Sequence, residues 1–144
     1  MMRAVLDTNV FISAAIKPEG NCAQIFSQGE AGKFAPLVSQ FILEEIADVL
    51  ARPHIQKKYR AQVTANKREH YLEAIPQVAE VVQVTTSVTE VEKDPKDNPI
   101  LACGVDGQAD YIVTGDPHLI ALGTFRGIRI VTPAQFLEVL KQEP

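Results

Sequence analysis

Five short apolar runs, "RAVLD" (3–7), "APLVS" (35–39), "EVVQVTT" (80–86), "DYIVTG" (110–115) and "IRIVTP" (128–133), are separated by stretches whose apolar residues recur at helical spacing. Strand-like and helix-like patterns in alternation predict an α/β fold of three layers, with a central, mostly parallel sheet of about five strands flanked by helices. The last helix is the best marked. Thr132 is placed to cap it, Pro133 takes its first position, Gln135 completes a capping box, and Phe136, Leu137 and Leu140 form its buried face.

At 144 residues the chain suits one domain, 1–144, large enough to bury a core without disulfides or a structural metal. Hydrophobic residues make up 46% and charged residues 22%, and no segment approaches the ~18 unbroken apolar residues of a membrane span. A soluble protein with no membrane partner is expected. Asp7 interrupts the N-terminus before a secretory signal can form, and Cys22 and Cys103 stand apart in no metal-binding array. Both facts favour a reducing, cytoplasmic setting, with the two thiols in or near the core.

A net charge of −4 excludes a general basic coat for nucleic acid. It leaves room for a local patch. From Val49 to Arg68 there is no acid, while Arg52, Lys57, Lys58, Arg60, Lys67 and Arg68 all fall inside.

In an open parallel sheet, ligands bind beyond the carboxyl ends of the strands, where strand order reverses. Four acids can be placed at that edge. Asp7 ends the first strand, Asp116 follows the fourth by one glycine, and Asp97 opens the helix "NPILACGV". Glu45 is separated from Glu44 by helical geometry over about 39–51. Ile42, Ile46, Val49 and Leu50 mark the buried face, with Glu45 on its rim and Glu44 on the wet side. Singly, Asp7, Asp97 and Asp116 also read as helix N-caps, and Glu45 as a rim residue whose carboxylate reaches solvent. Together, four converging carboxylates would repel one another unless a cation held them, and oxygen-only ligands select Mg²⁺ or Mn²⁺.

In these residues the sequence resembles the PIN-domain proteins, the fold of the VapC-type toxin ribonucleases. The resemblance runs through "VLDTNVFISA", "SQFILEEIADVLARP", "DPKDNPILACGVDGQADYIVTGDPHLIAL" and "IRIVTPAQFLEVL". It implies that Asp7, Glu45, Asp97 and Asp116 form an acidic quartet binding one or two Mg²⁺ or Mn²⁺ ions. Thr8, Asn9, Ser39 and Thr114 match polar supporting positions, although Asn9 is as readily a capping residue. The implied activity is endonucleolytic hydrolysis of RNA, in which His54, His70 and His118 are not needed as bases. An antitoxin protein partner and a homodimer are implied as well. Gly104 departs from the helix former expected in "ACGVDG", at a cost of roughly 1 kcal/mol relative to Ala.

Because an acidic site repels the rest of an RNA backbone, Lys57, Lys58 and Arg60 are candidate phosphate contacts, and Tyr59 a candidate base-stacking residue. A solvated basic hairpin is the alternative for that segment. Two other functional classes stay open. One is a phosphoryl-transfer protein of similar topology, which would need an acid where Asn9 stands or acids and lysines the other strand ends lack. The other is a binding module that acts by forming complexes.

Overall fold

A computed structural model of the chain describes residues 1–88 and 98–142. Six strands form one sheet: β1 (Arg3–Leu6), β2 (Ala35–Val38), β3 (Glu80–Val81), β4 (Tyr111–Val113), β5 (Thr124–Phe125) and β6 (Ile128–Val131). Their order is β3-β2-β1-β4-β6-β5, with every pairing parallel except β5 with β6. The expected α/β sheet is therefore present, with one more strand than the apolar runs announce.

That extra strand is a two-residue hairpin arm. Phe125 pairs with Ile128 across Arg126 and Gly127, both at positive φ (47° and 84°), the turn that follows strand twist best. The third strand is shorter than "EVVQVTT" suggests. After Val82 donates to Val38 O at 2.7 Å, Asp106 captures the chain, accepting from Thr85 N, Thr86 N and Thr86 Oγ1 at 2.7, 2.9 and 2.6 Å. Asp106 is thus an anchor for the chain leaving the sheet.

Between the strands run α1 (Thr8–Ile16), α2 (Asn21–Glu30), α3 (Gln40–Leu50), α4 (Pro53–Lys58), α5 (Ala65–Val78), α6 (Asn98–Asp106), α7 (Pro117–Ile120) and α8 (Pro133–Gln142). Strand alternation shows how they layer. In β4, Tyr111 meets Phe136 of α8 with ring centroids 5.7 Å apart, while Ile112 turns towards Gly104 of α6. Successive side chains on a strand point to opposite faces, so helices cover both. A Cβ on Gly104 would lie 3.1 Å from the tips of both Ile112 and Ile128, so the glycine marks close packing of α6 on the sheet.

The closing helix forms as its sequence predicts. Thr132 N donates to Gln135 Oε1 at 2.9 Å, Gln135 N donates to Thr132 Oγ1 at 3.2 Å, and Phe136, Leu137 and Leu140 are buried. Cys22 and Cys103 are buried free thiols. Among the described residues no helix is long and apolar enough to cross a membrane.

Candidate active site

The strand order runs from β1 outward through β2 to β3 on one side and through β4 to β6 on the other. The reversal lies between β1 and β4, and Asp7 sits at that point. Its N–H donates to Val113 O at 3.0 Å, and its side chain caps α1 by accepting from Thr8 N at 2.7 Å. The other carboxylate oxygen, Oδ2, accepts from Thr114 Oγ1 at 2.7 Å and from Asn9 Nδ2 at 3.1 Å.

Asp7 is only 5% exposed. Burial pushes its pKa above the ordinary carboxylate value; the bonds from Thr114 and Thr8 oppose that shift, and the negative charges of Glu45 and Asp116 add to it. Both acids are therefore close enough to be felt.

Glu45 is presented by α3, which starts where Ser39 caps it by accepting from Ile42 N at 3.3 Å. From that start, Ile42, Ile46 and Leu50 are buried, Glu45 falls beside them, and Thr8 Oγ1 donates to its Oε1. Glu44 points away and accepts from Gln40 Nε2 at 3.4 Å. Asp116 N donates to Thr114 Oγ1 at 3.0 Å, and Asp116 Oδ1 accepts from His118 N at 2.8 Å as the cap of α7. Asn9 closes the arrangement by accepting from Gly115 N at 3.1 Å. Capping and convergence are thus not alternatives: Asp7 and Asp116 cap helices and share one site.

Asp7, Glu45 and Asp116 line a single pocket of about 440 Å³. The same pocket is lined by apolar Ile12, Ile16, Val49 and Ile100 and by Tyr59 and Lys17. Among the described residues, no three acid, histidine or cysteine side chains draw close enough together to grip an ion directly. The donors are all oxygen, the set that hard divalent cations prefer. Asp97 lies outside the described residues.

The sequence-predicted supporting residues separate into two groups. Thr8, Asn9 and Thr114 bond directly to the acids, whereas Ser39 does not line the pocket and acts on it through the start of α3. The candidate RNA contacts separate as well. Tyr59 lines the acid pocket with Lys58 Nζ 5.5 Å from its ring centre, but Lys57 and Arg60 line a different groove. Lys17 and the Ile12–Ile16 wall have no signal in the sequence; they reach the pocket because α1 starts at Asp7 and runs along it.

The PIN domain family matches residues 3–118 of the chain. An uncharacterised protein of Methanocaldococcus jannaschii is 29% identical over 145 aligned positions, covering 95% of this chain and 90% of that protein. Two solved structures share the fold at 14% identity. A chain of VapBC2 from Rickettsia felis, solved bound to a DNA fragment from their promoter, superposes with a TM-score of 0.63 over 91% of this chain and 98% of its own. A protein of Pyrobaculum aerophilum superposes with a TM-score of 0.62 over 99% of this chain and 91% of its own.

Proposed function

Because the chain belongs to the PIN-domain family, we propose that it is a Mg²⁺- or Mn²⁺-dependent endoribonuclease, with residues 1–144 acting as one nuclease domain. The observation that carries this reading is the buried carboxylate of Asp7 sharing its pocket with Glu45 and Asp116. Burying an ionised carboxylate is costly unless opposite charge offsets it. Three polar donors offset part of that cost, and the two neighbouring acids add to it. A divalent cation resolves the imbalance.

Asp7, Glu45 and Asp116, with Asp97 as the fourth acid, would hold the ion between them, directly or through its waters. A divalent ion held there would supply Lewis-acid activation of water and neutralise charge growing on the phosphate. The chain's own residues do the positioning. Thr8 orients Glu45, while Thr114 and Asn9 hold Asp7 and tie it to the loop that carries Asp116. Tyr59 and the apolar wall offer a surface on which an unpaired base stacks, and Lys17 stands at the same pocket to meet a phosphate.

The same reading makes the protein the cytoplasmic toxin of a toxin–antitoxin pair, working as a homodimer. Its support is the fold shared with a VapBC2 chain. A basic side chain of an antitoxin entering the pocket would compete with the metal for the same carboxylates.

The test compares wild type with Asp7→Asn and Glu45→Gln on a mixed pool of single-stranded and structured RNA, with and without Mg²⁺ or Mn²⁺. Metal-dependent cleavage is expected in the wild type alone. Metal at a hundredfold excess over Kd should also stabilise the wild type by about 2.7 kcal/mol, read as a raised melting temperature. Neither cleavage nor a metal-dependent rise in stability would reject the reading.

A further inference from the structure

Resting on the nuclease reading above, we propose that Lys57, Arg60 and Arg68 form a second nucleic-acid site, a groove that grips the phosphate backbone of one RNA strand outside the acid pocket. The end of α4 divides the acid-free segment between two surfaces. Tyr59 turns to the acid pocket, whereas Lys57, two residues before it, and Arg60, directly after it, line a separate groove of about 500 Å³ together with Arg68 of α5. Gln56 and Thr64 add neutral polar groups, and no acid lines the groove.

Elsewhere among the described residues, three basic side chains sit in ion pairs. Arg3 meets Glu80 at 2.9 Å, Arg52 meets Asp48 at 3.2 Å and Lys141 meets Glu138 at 3.2 Å. Among the described residues, no carboxylate lies within ion-pair distance of Lys57, Arg60 or Arg68. Three unpaired cations therefore share one concavity in a protein of net charge −4. Like charges so placed repel one another, and an external polyanion relieves that repulsion.

Single-stranded RNA fits better than an acidic protein for two reasons. Two arginines offer planar forks that match phosphate oxygens, and neutral amides and hydroxyls such as those of Gln56 and Thr64 commonly complete backbone contacts. The acid pocket also repels every phosphate except the one over its ion, so a strand held there needs an anchor elsewhere. Adjacent residues, Tyr59 and Arg60, put that anchor beside the pocket. Cleavage then requires a strand long enough to reach both surfaces.

The experiment measures binding of a long oligouridylate and of a tetranucleotide by fluorescence anisotropy, in EDTA so that nothing is cut, across a series of salt concentrations. The full chain is compared with Lys57→Glu/Arg60→Glu/Arg68→Glu and with the milder Lys57→Gln/Arg60→Gln, each checked for native circular dichroism. The wild type should bind the long strand at least tenfold tighter than the tetranucleotide. The triple variant should lose that length dependence, and its slope of log K against log salt should flatten by about 2, at ~0.7 per phosphate contact on single strands. Equal slopes in wild type and triple variant would overturn the proposal. So would charge-dependent binding of polyglutamate without binding of RNA, which assigns the groove to an acidic protein. Charge-dependent RNA binding by a wild type that shows neither cleavage nor a metal-dependent rise in stability would sink the nuclease reading and leave the groove standing.

Discussion

Thr114 Oγ1 donates to Asp7 Oδ2 at 2.7 Å and accepts from Asp116 N at 3.0 Å, so one fully buried hydroxyl joins the acids at the ends of two neighbouring strands. The hydroxyl does two things. It supplies one of the donors that make the buried carboxylate tolerable, and it fixes the distance between Asp7 and the loop bearing Asp116.

Thr114→Val keeps the shape and removes both bonds. Losing a hydrogen bond to a buried charged group costs about 2 kcal/mol, and disturbing a group that orients metal ligands typically costs roughly 10- to 100-fold in metal affinity or activity. Thr114→Ser, which retains the hydroxyl, should recover most of both. Metal titration by calorimetry, together with chemical denaturation, separates the effects. A Val variant with wild-type metal affinity would show that Thr114 serves packing alone.

The contrast between Glu45 and Glu44 was readable before any coordinates, because helical periodicity depends only on where a helix begins, and Ser39 marks that start. Asp7 and Asp116 were readable for a related reason: each directly ends or nearly ends an apolar strand. Lys17 was not readable, since its place at the pocket depends on how α1 lies along the site. The separation of Tyr59 from Lys57 and Arg60 depends likewise on how α4 packs, which composition does not encode. β5, with two residues, is too short for periodicity to register and is set by the turn at Arg126 and Gly127, whereas β3 is announced by "EVVQVTT" but is cut to two residues as Asp106 takes the chain.

Asp106 gives a dependence on acid. Its side-chain bond from Thr86, then the backbone bonds from Thr86 and Thr85, hold its pKa below the usual carboxylate value. A depressed pKa contributes stability that is present above the unfolded value of 3.8 and is lost as pH falls through the lower folded value. Hydrogen exchange should therefore show the Thr85 and Thr86 amides protected at neutral pH. Asp106→Ala should speed their exchange selectively, leaving the amides of β1 and β4 unaffected. Uniform acceleration across the sheet would mean that Asp106 stabilises the whole fold rather than this segment.

Cys103 gives the opposite dependence. Burial, followed by the charge of Asp106, pushes its thiol up to about 12 from 9.0. The thiol then stays protonated in the fold while the unfolded chain releases its proton. The associated stability is complete below pH 9 and declines as pH rises from 9 towards 12. At neutral pH, thiol reagents should leave Cys103 untouched until the protein is unfolded, and Cys103→Ala should fall less steeply in stability across the alkaline range. Rapid labelling of Cys103 in the native protein would contradict its burial.

Gly29 in α2 is a packing requirement. A Cβ there would lie 2.7 Å from Cγ of Pro36 in β2, and a proline ring on a buried strand has little freedom to move aside. Gly29→Ala gains about 1 kcal/mol of helix propensity and loses about 1–3 kcal/mol to overpacking. Because the neighbouring atom belongs to a rigid ring, the loss should sit at the upper end and outweigh the gain. Gly32, at φ 75° with nothing within 4 Å of its Cβ position, provides the contrast: there alanine is resisted by backbone conformation and not by contact. The combination Gly29→Ala/Pro36→Ala tests the assignment, since removing the ring should recover part of the stability lost by Gly29→Ala. Urea unfolding of the two single variants and the double variant reads this coupling directly. Strictly additive losses would show that the helix and the strand do not meet at this contact.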